Sequence, residues 1–271
     1  MSEARHPDSM KEVSRRVEQI AQENARLFQE LAAGEYRIRR LAKAIWAVQE
    51  EERKRIAGEL HDGLGQNLTA LKIQLELLVQ EAQKLDSGLA PKLSEALGFA
   101  ERALEEAREL SHLLRPRILD DLGLEPALRW MGRTLSERTG IDIQVSCPGL
   151  EDRLDPDLET VIFRVVQEAL TNAVKHSGIG NKGSLQVEVS RRGAWVHLSV
   201  EDQGAGFDSS LVLARGKIPN GSGLANIRDR VEVSGGKLSI RSVPGKGTRI
   251  EARLPLESEA PPGLPGAKLL P

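Results

Sequence analysis

Residues 50–78 read EEERKRIAGELHDGLGQNLTALKIQLELL, and their leucines recur in alternating steps of three and four residues. This spacing predicts a helix with one narrow apolar seam, of the kind that packs against partner helices. At about 100° per residue, His61 lies at the edge of the seam, beside the polar face that carries Asp62 and Gln66. An isolated helical histidine is usually a surface residue, but an imidazole beside a carboxylate on a pairing helix is a candidate phosphate acceptor. The seam consists of Leu60, Leu64, Leu68, Leu71, Leu75 and Leu78.

The helical pattern continues on both sides of this seam. Residues 11–49 are charged, with apolar residues at steps of three, four and seven, which predicts a coiled-coil signalling helix after a disordered start at residues 1–10. Glycine and proline in residues 84–91 predict a short loop, followed by a second seamed helix that ends at Pro116. Two such helices form an antiparallel hairpin, and because one hairpin buries a single stripe, two copies should pair into a four-helix bundle. We assign residues 50–118 to this dimerisation and phosphoacceptor domain.

The second half of the chain, residues 119–256, alternates helical and strand patterns. Their order predicts an α/β sandwich with helices on one face of a sheet, so the whole chain belongs to the α+β class. A polar, glycine-rich stretch at residues 208–222 predicts a mobile loop, and the Pro/Gly-rich residues 257–271 predict a disordered tail. Helices are predicted at 126–138, 156–177 and 224–233, and strands at 141–147, 184–192, 194–201, 237–243 and 248–256.

Composition narrows the possible functions. Charged residues make up 29% of the chain and the formal net charge is -2, which argues against a strongly basic nucleic-acid protein. No run approaches the ~20 apolar residues of a membrane span, so we expect no membrane segment in this chain. The single cysteine, Cys147, lies in an alternating apolar run and predicts a small core residue in a cytoplasmic protein.

The predicted helix at residues 156–177 carries polar residues that a core would not need. Glu168 and Asn172 lie one turn apart, and an amide oxygen near a carboxylate suits Mg²⁺, which prefers hard oxygen ligands and keeps several waters. Lys175 and His176 follow at the helix end, where positive charge favours either the helix carbonyls or a ligand phosphate. Both readings stay open for these two residues.

Two glycine-containing segments follow this helix in the chain. Asp202 ends a predicted strand and precedes Gly204 and Gly206, which permit close approach of a flat ligand while the carboxylate accepts from an exocyclic amine. Gly221 and Gly223 lead into a short helix at Leu224, whose N-terminus favours phosphate. One glycine motif alone usually marks a turn, whereas the polar helix and the two glycine segments in this order indicate a nucleotide site.

Together these segments resemble the bacterial sensor histidine kinases that act with LuxR-like, DNA-binding response regulators. The second half is similar to the ATP-binding fold shared by gyrase, Hsp90, histidine kinases and the mismatch-repair ATPase. The resemblance covers residues 50–255 and rests on ERKRIAGELHDGLGQ (52–66), SHLLRPRILDDLGLEPAL (111–128), QEALTNAVKHS (167–177), EDQGAGF (201–207), GSGLANIRDRV (221–231) and GKGT (245–248).

The resemblance implies roles for individual residues. His61 would attack the γ-phosphate of ATP through Nε2, Asp62 would hydrogen-bond the other ring nitrogen, and Gln66 would place a water for dephosphorylating the regulator. Asn172 would ligate Mg²⁺, and Asp202 would accept from the adenine amine. Glu168 would polarise or orient the reacting groups. The remaining residues of the ATP site would be Lys175, His176, Gly204, Gly206, Gly221, Gly223, Leu224 and Thr248.

The resemblance therefore predicts a homodimeric, ATP- and Mg²⁺-dependent protein-histidine kinase that passes its phosphoryl group to a response-regulator aspartate. Its stimulus is expected to come from another protein or from a part outside this chain. One alternative is a serine kinase of the anti-sigma type, which needs no histidine on a helical hairpin. Another is a dimeric scaffold with an inactive nucleotide site, which the intact polar residues argue against.

Overall fold

The computed structural model describes residues 6–85, 88–180, 183–208 and 223–256. The chain divides into two units, residues 1–48 and 49–271. Helix α1 spans His6–Glu59 and so begins within the stretch predicted to be disordered, with Pro7 in its first turn, where proline is tolerated. In the first unit its apolar residues are largely exposed, including Val13, Val17, Ile20, Leu27 and Leu31.

Residues 209–222 and 257–271, predicted as a mobile loop and a disordered tail, lie outside the described residues. Among the helices that the structure describes, none is both long enough and apolar enough to cross a membrane.

The helical hairpin follows α1 in the chain. A π-helical turn spans Leu60–Gly65, and it leads into α2, Gln66–Lys84, which packs against α3, Ala90–Leu114. The sequence predicted an uninterrupted α-helix here; Gly63 and Gly65 weaken α-helical propensity at this point, which favours the wider turn. The hairpin buries small and branched residues, namely Ala57, Val79, Ala82, Ala100, Leu104 and Ala107.

The link between hairpin and sheet, which the sequence pattern left as a connector with a glycine turn, is helical. Helix α4 spans Arg117–Leu122, and helix α5 spans Leu124–Thr139, two residues earlier than its predicted start at Pro126. Gly123 separates them with a φ of 94°, a conformation that residues with a Cβ rarely adopt. The buried side chain of Leu119 fastens α4 to the core of the second half, which explains why this segment is ordered as a helix.

Within the part of the chain that the structure describes, the sheet has five strands in the order β1-β2-β3-β5-β4. β1 pairs in parallel with β2, and every other neighbouring pair is antiparallel. Inward-facing residues of the strands form one core with α5, with α6 at Pro156–His176 and with α7 at Gly223–Val233, which confirms the predicted α/β sandwich. The strands are β1 Asp142–Ser146, β2 Ser184–Arg192, β3 Trp195–Asp202, β4 Lys237–Val243 and β5 Gly247–Pro255.

Helix α6 is the centre of this core and carries the candidate site. Its N-cap is Asp155, whose carboxylate accepts from the backbone N–H groups of Asp157 and Leu158. Ile162 and Phe163 on its inner face are almost completely buried. Cys147 lies in the same core, and burial raises its pKa to about 11, so it is the core residue that its alternating run predicted.

Candidate functional site

Two polar side chains stand together on the C-terminal half of α6. Glu168 and Asn172 lie one turn apart, and Gly223, the first residue of α7, lies directly against both of them. A Cβ at Gly223 would overlap Oε1 of Glu168 and the amide of Asn172. The structure thus brings together three residues that the sequence placed in one site.

The donor chemistry of this pair fits Mg²⁺. Among the described residues, Nδ2 of Asn172 is buried and has no hydrogen-bond partner, which is costly for an amide unless a ligand supplies one. Its Oδ1 and the Glu168 carboxylate are hard oxygen donors. The described residues hold no group of three or more His, Cys, Asp or Glu that suits a metal, so phosphate oxygens and waters would complete the coordination.

Asp202 is a buried carboxylate at the end of β3. It accepts from the backbone N–H of Gly204 at 2.8 Å, and it is also hydrogen-bonded by the backbone and hydroxyl of Thr248, its partner across the β3–β5 pair. Burial raises the pKa of Asp202 above its ordinary value, because desolvation outweighs these hydrogen bonds. The carboxylate is therefore rigidly held, and it binds a donor more strongly than an exposed carboxylate does.

The glycines after Asp202 are explained by the protein's own backbone. A Cβ at Gly204 would overlap Ser177 at the end of α6, and one at Gly206, which has a φ of 57°, would overlap the carbonyl oxygens of Val243 and Gly247. Ala205 between them donates to the Ser177 carbonyl at 2.6 Å. The close approach that the sequence analysis attributed to a flat ligand is, in the described residues, an approach to α6 and to the β4–β5 turn.

The remaining predicted ATP-site residues have varied surroundings. Lys175 and His176 are exposed in the last turn of α6, where both predicted roles stay open. Leu224 is half-buried against the apolar core, so packing accounts for it. Thr248 lies within 2.9 Å of the hydroxyl of Ser242. Gly221 lies outside the described residues.

The second part of the site is a groove on the hairpin. His61 is exposed in the π-helical turn, and Gln66, the first residue of α2, borders the same groove of about 360 Å³. The apolar side chains of Ile73, Leu104 and Ala107 contribute to its lining. His61 and Gln66 thus lie on one surface that is open to solvent.

Asp62 has a different partner from the one that the resemblance implied. Both of its carboxylate oxygens accept from Nη2 of Arg117 at 2.7 Å, and no hydrogen bond joins Asp62 to His61 in the described structure. The guanidinium therefore neutralises the carboxylate next to His61. In this arrangement Asp62 does not orient the His61 ring, so the implied hydrogen bond is not present.

Sequence reasoning missed two residues that hold the site. Arg117 could have been predicted from the sequence, because it directly follows Pro116, where the helix pattern ends, and faces an acidic residue on the opposite arm of the hairpin. Ser242 had none: its hydroxyl accepts from the N–H of Phe207 at 2.8 Å and meets Thr248, contacts that arise only when β4 and β5 take their register.

Two family models match the chain, in the order of its two folded parts. A histidine kinase model matches residues 52–119. A model of the histidine kinase-, DNA gyrase B- and HSP90-like ATPases matches residues 157–258. The first range contains His61 and Asp62, and the second contains Glu168, Asn172 and Asp202.

Three curated relatives are similar over most of the chain. Sensor histidine kinase MctS of Rhizobium johnstonii is 34% identical over 234 residues, covering 86% of this chain and 50% of MctS. Oxygen sensor histidine kinase NreB of Staphylococcus carnosus is 34% identical over 221 residues, covering 80% of this chain and 60% of NreB. Signal transduction histidine-protein kinase/phosphatase DegS of Bacillus subtilis is 39% identical over 214 residues, covering 77% of this chain and 54% of DegS. The chain thus spans 50 to 60% of the length of these relatives.

Proposed function

Because the chain belongs to the histidine kinases, we propose that it is an ATP-dependent protein-histidine kinase that phosphorylates its own His61 and passes the phosphoryl group to an aspartate of a response regulator. One observation carries this proposal. The chain combines the exposed imidazole of His61 on the hairpin with the buried carboxylate of Asp202 and the amide of Asn172, two groups suited to a nucleotide site. The regulator is proposed to be of the LuxR-like type, as the resemblance of the hairpin implies.

The proposed nucleotide site uses the groups that the fold holds most rigidly. Asp202 would accept from the exocyclic amine of adenine, since its carboxylate is buried and fixed by Gly204 and Thr248. Asn172 would ligate Mg²⁺ with Oδ1, assisted by Glu168, and Lys175 and His176 would approach the phosphates. Bound Mg²⁺ supplies charge neutralisation on the phosphate oxygens.

The proposed chemistry is a direct phosphoryl transfer. Nε2 of His61 attacks the γ-phosphorus of ATP, and the bond from that phosphorus to the β–γ bridging oxygen breaks, so ADP departs with the electron pair. The attacking ring must be neutral, with its proton on Nδ1. In the described arrangement the Asp62 carboxylate is bound by Arg117 and not by the ring, so Asp62 would have to turn towards His61 to accept from that Nδ1–H.

Transfer of the phosphoryl group to the regulator is proposed to use the same groove. The resulting phosphohistidine would donate its phosphoryl group to a receiver aspartate docked at His61. Gln66, on the same groove, would place a water for dephosphorylating the regulator. Because these roles need an accessible surface, the exposure of His61 supports them.

We also propose that the protein is a cytoplasmic homodimer. The seam leucines Leu64, Leu71 and Leu78 are 44–47% exposed in the single chain, although their spacing is that of a helix pairing surface. A second copy would bury them in a four-helix bundle. A single buried cysteine agrees with a reducing compartment.

Labelling with γ-labelled ATP and Mg²⁺ tests the proposal. We expect an acid-labile, base-stable label that is absent in His61→Gln and strongly reduced in Asn172→Ala. An acid-stable, base-labile label would instead indicate a serine kinase, and no label in protein that binds nucleotide would indicate a scaffold. Chasing the labelled protein with purified LuxR-type response regulators then tests transfer to a receiver aspartate.

A further inference from the structure

The face of the sheet that points away from the helices carries a groove of about 380 Å³. The groove is lined by residues of β2, β3, β4 and β5, and none of them belongs to the nucleotide site proposed above. On each of these strands the polar groove residues alternate with residues of the core, so they point to the opposite face from α6. The groove is therefore a separate surface from the one that holds Asn172.

One row of side chains crosses this groove from β2 to β4. Consecutive cross-strand partners form the row, in the order Ser190, His197, Arg253 and Lys237. Neighbouring strands lie about 5 Å apart, so the three nitrogen-bearing side chains follow one another at about that spacing on a rigid surface. We call these four residues the basic row.

The acidic residues of the groove do not neutralise the basic row. Glu188 and Glu251 are the two carboxylates that line the groove, and each is paired with an arginine outside the row, at 3.2 Å and 2.9 Å. Among the residues that the structure describes, neither Arg253 nor Lys237 forms an ion pair with a carboxylate. Two positive charges thus face a concave surface without a counter-charge, which favours an anion there.

Ser190 gives a second, independent indication of a ligand. The residue is only 4% exposed, and its hydroxyl oxygen is buried with no hydrogen-bond partner in the described part of the chain. A buried hydroxyl without a partner costs free energy, because its proton needs an acceptor. Rotation about the Cα–Cβ bond can turn the hydroxyl towards the groove, where an anion beside His197 would supply that acceptor.

The chemistry of the basic row favours phosphate over a single carboxylate. The Arg253 guanidinium lies 5.5 Å from the ring centre of Trp195, a stacking contact that restricts its orientation. An oriented guanidinium binds two oxygens of one phosphoryl group, and the ammonium of Lys237 provides a second, compact charge. At about 5 Å per strand, the row from His197 to Lys237 is about 10 Å long, which is room for two linked phosphoryl groups.

We propose that the basic row is a binding site for a small ligand that carries two linked phosphoryl groups. Arg253 and Lys237 would each hold one of these groups, His197 would donate a hydrogen bond from its ring, and the Ser190 hydroxyl would donate to a phosphate oxygen. The groove is large enough for such a ligand, since small-molecule sites begin at about 300 Å³. The site lies apart from the proposed phosphoryl transfer at His61 and does not depend on it.

Titration calorimetry of the full chain with sodium pyrophosphate tests this proposal. Mg²⁺ is left out, so that metal-dependent binding at the nucleotide site does not contribute. We expect a dissociation constant below about 1 mM for the wild type, and a loss of affinity of at least about twentyfold in the double variant Lys237→Gln/Arg253→Gln. Arg241→Gln removes one charge from the same face of β4 outside the basic row, and it should change the affinity by less than about twofold.

Two further measurements separate this site from the nucleotide site and from a general effect of charge. The double variant should keep the wild-type affinity for a fluorescent ATP analogue. Ser190→Ala should weaken pyrophosphate binding about threefold without lowering the unfolding temperature, because it removes an unpaired hydroxyl from a buried position.

The outcomes that overturn the proposal are distinct from those that bear on the kinase function. Pyrophosphate that does not bind the wild type, or that binds the double variant equally well, overturns the proposal. Inorganic phosphate should bind at least about tenfold more weakly than pyrophosphate, and equal affinities overturn the assignment of two phosphoryl groups. A wild-type protein that binds pyrophosphate at the basic row but never labels His61 supports this site and contradicts the proposed kinase function.

Discussion

At the scale of single residues, the site depends on polar groups that the fold buries despite the cost of their desolvation. Asp202 keeps a carboxylate in a desolvated position, and the buried amide nitrogen of Asn172 has no partner among the residues that the structure describes. Both arrangements cost stability, and both present a group suited to a ligand. Substitutions here should therefore separate stability from binding.

Asp202→Asn is the sharpest such substitution. Loss of a charge-assisted hydrogen bond of about 1.5–3 kcal/mol should weaken binding of a fluorescent ATP analogue by at least about tenfold. At pH 7 the variant should unfold at the same or a higher temperature, because the neutral amide avoids the cost of burying a charge. Glu201→Gln, at a half-exposed position on the same strand, should retain wild-type affinity.

The pH dependence of that stability difference follows from the raised pKa of Asp202. The folded state holds this proton more tightly than the unfolded chain, whose pKa is near 3.8, so the group costs stability above its raised pKa. The cost is relieved as the pH falls through that value towards 3.8. Any advantage of Asp202→Asn over the wild type in thermal unfolding should therefore shrink as the pH is lowered; an advantage that grows would contradict this sign.

Gly223→Ala tests the contact between α7 and the polar pair of α6. Its new methyl group would overlap Glu168 and Asn172, so α7 must shift away from the site. We expect a loss of nucleotide affinity of about tenfold or more, measured by titration with the same analogue. Gly98→Ala in α3, where the added carbon meets only the Arg102 guanidinium at 3.4 Å, should bind nucleotide normally.

At the scale of elements, α6 determines where the chemistry can occur. It begins at the Asp155 cap, crosses the sheet with its apolar face, and delivers Glu168 and Asn172 at its far end. On the other part of the site, the π-helical turn sets the direction of His61. Helix α6 therefore directs Glu168 and Asn172, the π-helical turn directs His61, and the end of β3 holds Asp202.

Removal of the α6 cap should affect stability without affecting the site. Asp155→Ala leaves the N–H groups of Asp157 and Leu158 without their acceptor, which should cost about 1 kcal/mol in the free energy of unfolding. Denaturant titration of the folded chain measures this. The exposed Asp152→Ala should change stability by less than about 0.5 kcal/mol. An equal loss in both variants would contradict a specific capping role.

At the scale of the whole molecule, a single copy of the chain leaves part of the apolar seam of the hairpin exposed to water. Leu64, Leu71 and Leu78, which share the predicted seam, are 44–47% exposed. An apolar stripe of this length on a soluble helix marks an association surface. The hairpin groove at His61 and the proposed pairing surface thus lie on the same two helices.

Disruption of the stripe should separate the dimer. The double variant Leu71→Glu/Leu78→Glu places charges in the seam, where a partner helix would bury them, and we expect sedimentation to show half the wild-type mass at micromolar concentration. Gln80→Glu adds one charge at an exposed position on the opposite face of the same helix and should leave the mass unchanged. A dimeric double variant would place the interface elsewhere.

Local patterns in the chain were sufficient for the sandwich, for the end of α3 just before Pro116 and for the elements that carry His61, Asn172 and Asp202, because hydrophobic periodicity and helix-breaking residues act over a few positions. The partner of Asp62, the ion pair of Glu50 with Arg164 and the reason for Gly204 and Gly206 depended on folding. Those contacts join residues that are far apart in the sequence, and no local pattern specifies which charges or backbones will meet when helices and strands pack.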